Sequence, residues 1–244
     1  MDWLEELSKL LPVEKVYEDV AQPTTKQVCT SLESIAKTAR WIIAPIDYLA
    51  AQNDRYQNFL KRIAEKVPEE RRIEAHPQIA GPTLDGLRFV PEDSVIAEMF
   101  LNLLARAIDR ERVNEAHPAF HQIIAQLSPD EAVVLFHLKR KSYLYRTYAR
   151  FHADSNTFSP REVIHNEFPT NALTAQENYS LYMDHLHSLN LAGIWQQGNQ
   201  EPVFEADPNV QTGVRITSLA QLTSFGQLFT KACAPDSLPK THKL

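Results

Sequence analysis

The chain has 244 residues, 43% of them apolar and 23% charged, with 6 glycines against 15 prolines. That is enough apolar material for one large or two small hydrophobic cores, and it excludes a collagen-like, low-complexity or wholly disordered protein. A formal net charge of −6 excludes a uniformly basic surface, so any contact with nucleic acid has to be local.

In residues 2–20, Trp3, Leu4, Leu7, Leu10 and Leu11 are followed by Val13, Val16, Tyr17 and Val20, a helical rhythm interrupted at Pro12. Two short helices are expected there. Acids within the first six residues, with no basic leader ahead of an apolar run, argue against a secretory signal. Thr24 or Thr25 is placed to cap a helix carried by Val28, Leu32, Ile35, Ala36 and Ala39, which Pro45 should break. A further helical segment runs from Ile46 through Tyr56, Phe59, Leu60 and Ile63 to about Lys66. The longest apolar run, WIIAPIDYLAA, contains Asp47 and falls short of the ~20 residues needed to cross a bilayer. Residues 67–93 hold four prolines and read as a connector with at most a short helix inside it.

The clearest helix follows. Asp93 or Ser94 is placed to cap it, and Val95, Ile96, Met99, Phe100, Leu103, Leu104, Ala107 and Ile108 form a broad apolar stripe. In HPAFH, His117 and His121 have a metal-ligand spacing, but Pro118 favours the first helical position and so makes His117 a helix cap. SPDEAVVLFHL opens another helix, with Ser128 as cap, Pro129 at the first position and Glu131 completing a capping box.

Beyond it, KSYLYRTYARF is readable as helix or strand, SPREVIHNEF restarts a helix at Ser159, and TAQENYSLYMDHLHSLNL is helical, with Gly193 as a cap or turn. Two short β-like runs surround Gly198 and Gly213, and LTSFGQLFTKAC is a last helix. That order predicts a mainly α protein: a helical N-terminal domain, residues 1–127, a winged-helix-like α+β domain, residues 128–233, and a disordered tail, residues 234–244. Cys29 and Cys233 are isolated, which fits a reducing cytoplasm and neither a disulfide framework nor a zinc site.

One stretch is strongly basic. Lys139, Arg140, Lys141, Arg146 and Arg150 occur with no acid among them, interleaved with Tyr143, Tyr145 and Tyr148. Cations neutralise phosphates and tyrosines stack on bases, so these residues, Tyr143 included, are candidates for a nucleic-acid or partner contact. Against a major-groove reader, the helix that would enter the groove has Glu177 and Asp184 and no Lys or Arg. GxSxG, P-loop, GxGxxG and HExxH patterns are missing, so no catalytic residue, metal or cofactor is expected. His185 and His187, two apart on a helix, point away from each other. Glu98 and Asn102 are either a polar pair in a cleft or a surface i,i+4 contact.

Residues 98–135 resemble the core of the bacterial Abi-alpha family, which is associated with abortive infection and has no known biochemical activity. Three pieces carry the resemblance: Glu98, Met99, Phe100, Asn102, Leu103, Leu104 and Ala105; then His117, Pro118 and Phe120; then Gln126 to Ala132, including Ser128 and Pro129. Leu222, Thr223, Phe225, Gly226, Phe229 and Cys233 are similar to the family's closing element. The resemblance implies a defence role in which infection triggers arrest or death of the host cell. It supplies no catalytic residue, and its residues Glu98, Asn102, His117, Pro118, Phe120, Ser128, Pro129 and Gly226 read as structural.

The expectation is therefore a cytoplasmic, non-enzymatic factor that contacts a protein partner or a second copy of itself, with nucleic acid as the weaker possibility. A DNA-binding winged-helix regulator is the main rival, and a toxic enzyme whose site converges from distant helices is the second.

Overall fold

A computed structural model of the protein describes residues 55–204 and 210–239. The helices expected over residues 2–20 and 24–44, the break at Pro45 and Cys29 lie outside the described residues. The described residues fall into two compact units, 55–92 with 100–121, and 93–99 with 122–204 and 210–239.

In the first unit, helical residues 55–66 (α1) bury Tyr56, Phe59, Leu60 and Ile63, an i, i+3, i+4, i+7 stripe. Residues 67–93 are more than a connector: Pro77–Leu87 (α2) is an eleven-residue helix. His76 caps it by accepting the Gln78 N–H at 3.3 Å on Nδ1, and Pro77 occupies the first turn, where its missing N–H costs nothing. Burial of Ile79, Ala80, Leu84 and Leu87 outweighs the prolines that suggested a loop. Gly86 lets this helix approach Phe100 closely, since a Cβ there would come within 2.6 Å of the ring.

Val95–Ala107 (α3) is the expected helix, capped by Ser94 Oγ, which accepts the Ala97 N–H at 3.1 Å. Phe100, Leu103, Leu104, Ala107 and Ile108 are each at most 1% exposed. At its end the Arg71 guanidinium donates to the buried Asp109 carboxylate, 3.0 Å from Nε to Oδ1. Burial alone would raise the Asp109 carboxyl, but Arg71 and the Glu111 N–H hold it below the usual carboxylate range.

In the second unit, Phe120–Gln126 (α4) leads to Pro129–Leu138 (α5), which carries the expected capping box: Ser128 Oγ accepts the Glu131 N–H, and Glu131 Oε2 accepts the Ser128 N–H at 2.7 Å. From here the expectation of a mainly α protein with a winged helix fails. Tyr143–His152 (β1), Thr157–Phe158 (β2), Glu162–Asn166 (β3), Ala192–Gln196 (β4), Glu201–Phe204 (β5) and Gln211–Leu222 (β6) form one six-stranded antiparallel sheet in place of a two-stranded wing. The order is β2-β1-β6-β4, with β3 also on β1 and β5 also on β6. The segment expected to restart a helix at Ser159 is β3, where Val163 and Ile164 suit a pleated strand; Glu162, Val163, His165 and Asn166 pair along β1, and Ile164 sits at an irregularity in the register.

The helix that would have read DNA, Tyr179–Ser188 (α6), buries Tyr179, Met183 and Leu186 and packs on α5 and β4. After it the chain turns at Asn190, in the left-handed region at φ 56°, rather than at Gly193, which lies inside β4. Ser224–Cys233 (α7) closes the unit. Residues 234–236 of the expected disordered tail are held in place: Ala234 is buried, and two basic side chains bond this segment.

The sheet has unlike faces. Tyr143, Tyr145, Ala149, Val214, Ile216 and Ala220 are buried on one side, while Arg146, Arg150 and Arg215 are exposed on the other. Among the described residues no helix is long and apolar enough to cross a membrane.

Candidate functional site

The basic stretch divides at the start of β1. Lys139, at the end of α5, donates from Nζ to the Ala234 carbonyl at 3.0 Å and to Asp236 Oδ1 at 3.1 Å. Arg140 donates to the carbonyls of Phe136 and Asp236 at 2.7 and 2.6 Å and stacks 3.6 Å from the Phe136 ring centroid. Lys141 lies over the Tyr143 ring at 4.7 Å. Tyr143 is a core residue, packed edge-on against Phe168. Tyr143 thus belongs to the core, Lys139 and Arg140 tie residues 234–236 to the end of α5, and Lys141, Arg146 and Arg150 remain as outward cations.

Alternation along β1 places Arg146, Tyr148 and Arg150 on one face, and the ladder sets Thr217, Arg215 and Gly213 opposite them in turn. Tyr148 lies down on the sheet. Its hydroxyl donates to the Thr212 carbonyl at 3.2 Å, and its ring covers Gly213, where a Cβ would come within 2.4 Å of it. Trp195, paired with Leu219 on the same face, covers Gly193 in the same way, with a Cβ there 2.8 Å from its ring. Carboxylates also lie on this face: Glu201, 3.7 Å from Arg215, and Glu162, opposite Tyr148, with Glu167 at its edge, 3.8 Å from His165, the residue paired with Arg146. Neither Arg146 nor Arg150 forms an ion pair among the described residues.

Sequence reasoning missed a second polar cluster. Asp130 is 6% exposed, and its carboxylate accepts the N–H groups of Thr174 and Ala175 at 2.9 and 3.0 Å and the Tyr182 hydroxyl at 3.0 Å. Burial would raise the carboxyl, but these donors bring it below the usual range, while burial and the Asp130 bond raise the Tyr182 phenol. Beside it Glu131 Oε1 meets His185 Nδ1 at 2.5 Å. A carboxylate behind an imidazole is the geometry of a general base. Here Glu131 also closes the capping box, and Ser188 Oγ donates at 2.7 Å to the His185 carbonyl rather than to its ring; the Glu131–His185 pair ties α5 to α6. The only sequence signal was S-P-D-E, whose acids looked like ordinary first-turn residues because their partners lie more than 40 positions away.

The remaining motif residues are dispersed. Half-buried Asn102 accepts from Lys66 at 3.0 Å through Oδ1, and Glu98, one turn earlier on α3, is also half-buried. His117 Nδ1 accepts the Ala119 N–H at 3.1 Å with its ring against Phe120, while His121 Nδ1 meets the Pro118 carbonyl at 2.7 Å. The two rings therefore engage different backbone groups. No cluster of three or more His, Cys, Asp or Glu suited to a metal occurs among the described residues. Ser128 and Pro129 start α5, and Gly226 packs α7 against the Leu191 backbone.

No curated protein and no solved structure matched the chain. The family described as abortive infection alpha matches residues 51–233, which takes in all of α1 through the last residue of α7, and the chain belongs to that family.

Proposed function

We propose that this chain serves abortive infection as a non-enzymatic binding protein whose working surface is the outward face of the β1–β6 sheet. Family membership supports the abortive-infection role. The observation that carries the surface is the pair Arg146 and Arg150, exposed and without ion-pair partners among the described residues on a face that also holds Arg215, Tyr148 and Trp195. Elsewhere in the basic stretch, Lys139 and Arg140 are engaged by residues 234–236. Cations held outward on a rigid sheet are preorganised for an anionic partner.

The test is phage plating and host survival in bacteria expressing the chain, with wild type beside Arg146→Glu/Arg150→Glu at matched protein level. Loss of protection or of toxicity in the variant is expected. A fully active variant would remove this face from the mechanism, and turnover by the pure protein that one point change abolishes would replace binding with catalysis.

A further inference from the structure

We infer that the outward face of the sheet binds single-stranded nucleic acid, with Tyr148 as a stacking platform and Arg146, Arg150 and Arg215 as phosphate contacts around it. The inference names the partner class for the face assigned above and rests on that reading for its role in infection.

Three features point to this ligand. Stacking needs an aromatic ring held in place and partly open, and Gly213 leaves room for the Tyr148 ring to lie along the sheet while its hydroxyl is anchored to Thr212. Tyr148 is half-buried, so part of it remains accessible. Its neighbours are cationic. Arg146 and Arg150 flank it two positions away on β1, about 7 Å along the strand, and Arg215 stands directly opposite on β6.

Trp195, laid over Gly193 on the same face, supplies a second ring. Two rings over two glycines on one face make a surface for planar groups, and guanidiniums beside them suit the phosphates that join such groups.

A single strand fits better than a duplex. In a duplex the bases are stacked on one another, and reading them takes a helix or ribbon that enters a groove. Among the described residues the sheet face carries no such helix: α6, the candidate reading helix, is packed on α5 and β4 and has no Lys or Arg. Glu201 is held near Arg215 and Glu162 sits opposite Tyr148, so affinity should depend mostly on Arg146 and Arg150 and be modest. With two to three phosphates neutralised, the slope of log affinity against log salt for a single strand should be about −1.4 to −2.1.

The experiment is fluorescence anisotropy with labelled DNA and RNA strands of about 12 nucleotides and a matching duplex, at about 50 and 200 mM salt. The full chain would be compared with Tyr148→Phe, Tyr148→Leu and Arg146→Glu/Arg150→Glu, each checked for an unchanged melting curve. Single strands should bind at least about tenfold more tightly than duplex. Tyr148→Phe should remain within about twofold of wild type, Tyr148→Leu should lose at least about fivefold, and the double charge reversal should abolish binding. The Tyr148→Phe variant loses the Thr212 bond but keeps the ring, so it separates stacking from folding.

Equal affinity for duplex, no binding of single strands, or a Tyr148→Leu variant that binds like wild type would overturn the inference. Phage plating on the same variants separates it from the reading it rests on. Protection that depends on Arg146 and Arg150 without oligonucleotide binding would mean a protein partner and would end this inference alone. Oligonucleotide binding with protection unaffected by the charge reversal would uphold the site and overturn its role in infection.

Discussion

The backbone of Gly226 lies so close to the Leu191 carbonyl that a Cβ at position 226 would sit 1.8 Å from that oxygen. Thr223 fixes the approach: its N–H donates to the same carbonyl at 2.9 Å, its hydroxyl donates to the Asn190 carbonyl at 2.5 Å, and it caps α7 by accepting the Gly226 N–H at 2.8 Å. Because the obstacle is backbone, it cannot swing aside. Gly226→Ala should destabilise the second unit by about 3 kcal/mol or more, measured by urea unfolding, and an unchanged midpoint would show that the helix end can shift freely.

Acid should weaken the protein through Asp130. Its carboxyl is held below the usual range by Ala175, Thr174 and Tyr182 against the opposing effect of burial. A carboxyl depressed on folding stabilises fully above its unfolded value of ~3.9, and that contribution disappears as pH falls through the lower folded value. Asp130→Asn should therefore cost about 1.5–3 kcal/mol at neutral pH, with the gap to wild type narrowing below about pH 4. Urea melts at two pH values check this; a gap independent of pH would mean that the charge contributes nothing.

Leu103 on α3 has no exposed surface. Leu103→Ala should cost roughly 2–5 kcal/mol in a thermal or urea melt. A shift below about 0.5 kcal/mol would mean that the surrounding side chains close the cavity or that this face is not packed.

Lys139 presents a contrasting case. Its partner Asp236 is 99% exposed, so Lys139→Ala should change global stability by no more than about 1 kcal/mol. Locally the effect should be larger: residues 234–236 lose two of the bonds that hold them, and proteolysis just after Cys233 should quicken. A large global loss would mean that this segment is part of the core.

Helix signals that act over three or four residues were legible in the sequence. Ser94, and Ser128 with Glu131, announce helices because a cap and the N–H it bonds are sequence neighbours. Tyr143 to Phe151 stayed ambiguous, because a strand is decided by partners elsewhere, here β6 and β3. The same limit hid the sheet and turned the 159–168 segment into a false helix. It also made Lys139 and Arg140 look like surface cations, since Ala234 and Asp236 lie more than 90 positions away. Of the candidate face, Arg146 and Arg150 were readable as cations, whereas Arg215 and the platform over Gly213 became visible only through the β1–β6 register.

That register also dictates when the second unit can form. Tyr143 pairs with Ala220 and Arg150 with Gly213, partners more than 60 residues apart, and the rest of the sheet is built outward from these two strands. A ribosome adding about 5–20 residues per second will expose β1 for several seconds before its main partner is made. During that interval only the short β2 and β3 segments can protect its edge, so the unit should fold late and slowly, and incomplete products ending before residue 211 should aggregate or be degraded rather than act.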